Sequence, residues 1–154
     1  MKAKVKILRW IPVLIWMGII FYLSHQDSSD SSALSSGFTL VLLDFLDKSI
    51  EHLNMDVLNH LVRKGAHFAA YLILGLLVTR ALEPGTRRAS FVTFLICVLY
   101  ASSDEFHQSF IPGRSGQLSD VLLDSFGSSV GIAAYLGLGL GTRKENRNHS
   151  RSAA

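Results

Sequence analysis

The chain is poor in several things at once, and each shortage removes a class of protein. It has a single cysteine, Cys97, inside an apolar stretch. No internal disulfide framework and no cysteine-based metal site can therefore form, and Cys97 reads as a small packing residue. Prolines number three, and charged residues make up only 18% of the chain, against about 25% in ordinary soluble proteins. The formal net charge is +3. Its basic residues gather at the chain ends and in one short link, so there is no exposed basic stripe and no nucleic-acid partner is expected. At 154 residues there is room for one domain.

What the chain has in excess is apolar residues, 49% of the total, and they are clustered. A bilayer core takes about 17–25 mostly apolar residues per helix. Four blocks approach that length: Ile7 to Leu23, Ala66 to Leu82, Ala89 to about Glu105, and Val121 to Gly141. The third is apolar only to Ser102 and is expected to borrow polar residues at its C-terminal side. In the first block Trp10 and Tyr22 suit the two interfaces, and Pro12 lies near the start, where it costs little helix hydrogen bonding. Lys2, Lys4 and Lys6 precede this block as they would a signal peptide. No small-x-small cleavage site follows Leu23, so an uncleaved helix is expected. Gly127 and Gly131 in the fourth block form a GxxxG, a spacing that lets helices approach closely.

Charge distribution orients the blocks. Lys2, Lys4, Lys6 and Arg9 precede the first, Arg80, Arg87 and Arg88 link the second and third, and Arg143, Lys144, Arg147 and Arg151 follow the fourth. With four spans these segments share one side, which the positive-inside rule makes cytoplasmic. The expectation is an all-α integral membrane four-helix bundle in the bacterial cytoplasmic membrane, with both termini cytoplasmic. Its membrane domain covers residues 1–142, followed by a basic tail, 143–154. Residues 24–36 are rich in Ser and Asp and read as a flexible linker. Residues 38–62 show apolar spacings of three and four, predicting an amphipathic helix between helices one and two, either on the extracytoplasmic membrane surface or packed on its neighbours.

On that topology the ionisable residues converge on the extracytoplasmic side. His60, Lys64, His67 and Tyr71 share one helix face. Asp104, Glu105 and Gln108 follow the third block, Arg114 follows the turn Pro112-Gly113, and Asp120 and Asp124 open the fourth block, one turn apart. Charges at membrane depth cost about 2.5–3.5 kcal/mol at the bilayer centre and so should face inward and pair. Lys64, His67 and Arg114 can pair with Asp104, Glu105, Asp120 and Asp124. Two readings stay open: salt bridges that tie helices together, or a ligand or catalytic pocket. Adjacent Asp104 and Glu105 point about 100° apart on a helix, so a cross-helix pair is the better acid–base arrangement. Glu105 or Asp120 would be the base, with His67 or Lys64 orienting an anion. The Arg114 guanidinium can grip a phosphate or carboxylate with two parallel bonds. Ser102, Ser103 and Ser109 are nucleophile candidates by proximity alone, since no GxSxG elbow exists. His67, His107 and the carboxylates could ligate a metal, but no recognised ligand spacing is present, so no metal and no cofactor are expected.

These residues resemble the VanZ-like family. The similarity rests on Arg63-Lys64-Gly65-Ala66-His67-Phe68 with Tyr71, on Asp104-Glu105-x-x-Gln108, on Ile111-Pro112-Gly113-Arg114, and on Asp120 and Asp124 with Gly127 and Gly131. Ser24-His25-Gln26 looks like the family's Ser-x-Gln. The family often carries Asn at the position of Asp124. Its name comes from a membrane protein associated with teicoplanin resistance, a form of antibiotic resistance, but the family name supplies no biochemical activity. The resemblance marks Lys64, His67, Tyr71, Asp104, Glu105, Gln108, Arg114, Asp120 and Asp124 as site residues without assigning any of them catalysis. The leading expectation is a protein that acts on or binds an envelope lipid, a lipid-linked wall precursor or a lipoglycopeptide, with the lipid bilayer and an anionic lipid as partners. A non-enzymatic protection protein against glycopeptides is the alternative. A small transporter is a third reading, disfavoured by four helices without an inverted repeat.

Overall fold

The computed structural model describes residues 7–45, 54–82 and 87–139. Among them there are five helices and no strands: α1 (Ile11–Ser24), α2 (Ser28–Phe45), α3 (Met55–Ala81), α4 (Arg87–Gln108) and α5 (Leu118–Gly137). The all-α expectation holds. The N-terminal lysines, residues 46–53 in the middle of the expected amphipathic helix, and the basic tail lie outside the described residues.

Helix α3 is the hub, packing against each of the other four. Its closest partner is α5. There the GxxxG lies directly on α3, for a side chain at Gly127 would run into the Phe68 carbonyl and one at Gly131 into the Leu72 carbonyl. Gly75 answers from α3, for a side chain there would run into the Ser128 carbonyl. Such backbone approach gains dispersion contacts that larger residues would prevent. Helix α1 is fastened by Trp16, whose indole Nε1 donates to the Ala70 carbonyl at 2.8 Å. Tyr100 on α4 donates to the Met17 carbonyl of α1 at 2.6 Å.

Beside an apolar core of Val13, Ile20, Leu74 and Val78, the interior holds polar groups while many large apolar residues stay outside. Asp104, Glu105, Gln108, Asp124, Ser128, Thr79 and Thr93 are buried, along with Cys97. Leu14, Tyr22, Phe91, Leu99, Phe106 and Phe126 are among many large apolar residues left exposed. Helices α3 and α4 are long and apolar enough to cross a membrane. Helix α1, at 14 residues, rises only about 21 Å, short of a hydrocarbon core of about 30 Å.

Three expected boundaries are corrected. The second helix begins at Met55, eleven residues before the apolar block, because hydropathy falls at the charged residues while the backbone stays helical. Its start is capped by Asn54, whose side chain accepts from the Asp56 N–H at 2.9 Å. The fourth helix runs from Leu118 to Gly137, earlier at both ends than its apolar block. Gly139 stops it at φ 59°, a left-handed conformation that glycine takes without penalty. Most of the Ser/Asp-rich linker, from Ser28 on, is in fact the first half of α2, and the stretch expected as one helix over 38–62 is divided between α2 and α3. Composition misled because the α2 hydroxyls find partners on α3. Asn59 donates to Ser36 Oγ at 3.0 Å and Arg63 to Ser32 Oγ at 3.2 Å. Leu34, Phe38, Leu40 and Val41 of α2 are exposed.

Candidate functional site

The polar residues meet where the C-terminal ends of α1 and α4, the first half of α3 and the start of α5 come together. Because α3 is one continuous helix, His60, Lys64, His67 and Tyr71 do share a face, as their spacing requires. The Lys64 ammonium is paired with the Asp120 carboxylate, each roughly a quarter exposed. One turn deeper, His67 Nδ1 stands 3.7 Å from Asp124 Oδ2. That gap exceeds hydrogen-bond length. Asp124 is fully buried, and neither of its oxygens has a hydrogen-bond partner.

Asp104 and Glu105 diverge as expected for neighbours on a helix. Asp104 turns to α1, where its Oδ2 accepts from Ser24 Oγ at 2.8 Å and from Gln108 Nε2 at 3.1 Å. Glu105 turns towards α5, where its Oε2 accepts from the Gln117 N–H at 2.9 Å, while its Oε1 has no partner. The connection between α4 and α5 is tightened by Gly113 at φ 73°. This turn delivers Arg114, which donates to the Ser24 carbonyl at 3.1 Å and closes the end of α1. Burial and the nearby Arg63 charge hold the Arg114 guanidinium below its ordinary pKa, while Asp104 and Glu105 pull the other way. It remains a cation, as arginine does in proteins. The Tyr71 hydroxyl is buried without a partner, and its ring lies 6.2 Å from that of Tyr100.

Two cavities reach this cluster. The larger, about 640 Å³, lies among α1, α2 and α3 and has a mainly apolar wall including Ile20, Leu23, Leu34, Phe38, Leu58 and Tyr71. The smaller, about 240 Å³, has a polar wall including Lys64, Gln108, Ser115, Gln117 and Asp120. Arg63, His67 and Arg114 line both. All nine residues singled out in the sequence thus lie at one end of the molecule. Lys64, His67, Gln108, Arg114 and Asp120 line the polar cavity, Tyr71 the apolar one, and Asp104, Glu105 and Asp124 are buried in the same region. Sequence reasoning missed three participants. Arg63 could have been found, as it stands in the motif with Lys64 and His67. The Gln117 N–H and the Ser24 carbonyl are backbone groups, which no side-chain pattern reveals. His25 and His107 stack outside the cluster, with Nδ1 and Nε2 3.1 Å apart.

A buried polar cluster, many exposed large apolar residues and two helices of membrane-crossing length point to a helical membrane protein. The chain belongs to the VanZ/LLP1 family, whose model matches residues 9–139. No curated protein and no solved structure matches it.

Proposed function

We propose that this protein binds an anionic amphiphile of the bacterial envelope, a phospholipid or a lipid-linked wall precursor, from the extracytoplasmic side of the cytoplasmic membrane. The observation that carries this reading is the junction of the two cavities at Arg63, His67 and Arg114. An acyl chain fits the apolar cavity, and its head group would then lie between two guanidiniums that repel each other until an anion separates them. Leu34 and Phe38 of α2 line the apolar cavity and are exposed, which gives a lipid an approach from the bilayer. In this reading α1, α3, α4 and α5 form the four-helix membrane bundle, with both termini cytoplasmic by the positive-inside rule. A lipoglycopeptide, with its lipid tail and polar body, would meet the same junction. A protection role of the teicoplanin-resistance kind is therefore the second reading.

Native mass spectrometry of protein extracted in mild detergent tests the proposal. One phosphate-bearing lipid per chain is expected in the wild type. Arg114→Lys should keep the thermal stability and lose most of the bound lipid, because lysine keeps the charge but lacks the planar fork. Arg114→Ala should lose the lipid as well. Full retention by Arg114→Lys would count against the anion clamp, and wild-type protein free of lipid that also takes none up from added phospholipid would count against the site.

A further inference from the structure

Behind the cavities, the structure brings together three side chains that no local spacing connects. His67 of α3, Glu105 of α4 and Asp124 of α5 each offer one ligand atom, and these atoms all lie within 4.8 Å of one another. Three points that close leave a centre about 2.8 Å or less from each, so shifts of roughly half an ångström to an ångström bring all three to the Zn–N and Zn–O distances of about 2.0–2.2 Å.

The second observation is what these groups fail to do. Asp124 is fully buried, neither oxygen is hydrogen-bonded, and its Oδ2 faces His67 Nδ1 across 3.7 Å. Glu105 is 4% exposed and leaves Oε1 unpartnered. Buried carboxylate oxygens without donors are costly. Lys64 does not relieve them, for it is engaged by Asp120. Two carboxylates with a neutral imidazole carry a charge of −2, which a divalent cation cancels while satisfying the open oxygens. We propose that His67, Glu105 and Asp124 form a binding site for one divalent cation, best suited to Zn²⁺. One imidazole nitrogen and two carboxylate oxygens are all zinc-ligand types, three of them leave a fourth position open, and the imidazole favours Zn²⁺ over Mg²⁺ or Ca²⁺. Of the three ligands, His67 lines both cavities, so the cation would be reached past its ring. The site stands on its own geometry and does not depend on a lipid being bound.

The test uses full-length protein in detergent, purified without chelator, then stripped with EDTA and titrated with ZnCl₂ beside MgCl₂ and CaCl₂. The wild type should take up one Zn²⁺ per chain, with a rise in Tm. Co²⁺ should give visible absorption typical of nitrogen and oxygen ligands, without a thiolate charge-transfer band. The isosteric Asp124→Asn and Glu105→Gln, and His67→Ala, should each weaken Zn²⁺ at least tenfold. His25→Ala/His107→Ala, which removes the exposed imidazole pair, should bind as the wild type does. The wild-type Tm and Co²⁺ spectrum need no variant to fold. No uptake and no Tm rise in the wild type would overturn the proposal. So would tight binding that survives in all three ligand variants or is lost with the His25/His107 pair, and so would a preference for Mg²⁺ or Ca²⁺ over Zn²⁺.

Discussion

Gly131→Ala isolates what the α3–α5 contact contributes. The added methyl would fall against the Leu72 carbonyl oxygen, far inside van der Waals contact. That oxygen is helix backbone and cannot rotate away, so the two helices must separate. Overpacking of this kind costs about 1–3 kcal/mol. Helix propensity works in the opposite direction, since alanine is better than glycine in a helix interior by about 0.8–1.0 kcal/mol. Gly18→Ala on α1 provides the control, because a methyl there meets nothing within 4 Å. It shows the propensity gain without the clash. Gly131→Ala should therefore lie about 1–3 kcal/mol below Gly18→Ala, which is several degrees of Tm at about 2–4 °C per kcal/mol for a chain of this size. The damage should reach the polar site. Gly127 sits on the Phe68 carbonyl, one residue from His67, so the same contact sets the distance between His67 and Asp124. The assay is thermal unfolding in one detergent, followed by circular dichroism, for wild type, Gly18→Ala and Gly131→Ala. Equal stability of the two variants would refute the claim that backbone approach holds α3 to α5.

Two further outcomes are expected. In a Cys97→Ser background, a cysteine at Ser115 should react with an impermeant maleimide in intact cells and one at Ser90 should not; reversed labelling would place the site on the cytoplasmic side and remove the proposed encounter with extracytoplasmic ligands. Tyr71→Phe removes a buried hydroxyl that has no hydrogen-bond partner, so thermal unfolding should show unchanged stability or a gain of about 1 kcal/mol; a clear loss would mean that the hydroxyl has a partner after all.

The sequence by itself determined that the described residues are helical and which polar residues gather at one end. Helical period and hydropathy carry that information locally: Lys64, His67 and Tyr71 must share a face wherever their helix is continuous, and Asp104 and Glu105 must diverge. Even the close approach at Gly127 and Gly131 was visible as a pattern, though its partner helix was not. Tertiary structure decided the rest. Residues 24–36 look like a linker because serine and aspartate favour loops in isolation, yet α2 forms there with its hydroxyls bonded to Asn59 and Arg63 of another helix. The helix starts at Met55 and Leu118 were hidden because a hydropathy block ends at the first charges while backbone hydrogen bonding does not. His67, Glu105 and Asp124 lie far apart in the chain, so no ligand spacing could announce them. They become neighbours only because two glycines let α5 settle against α3 and α4 closes over both, an arrangement set by backbone contact between helices.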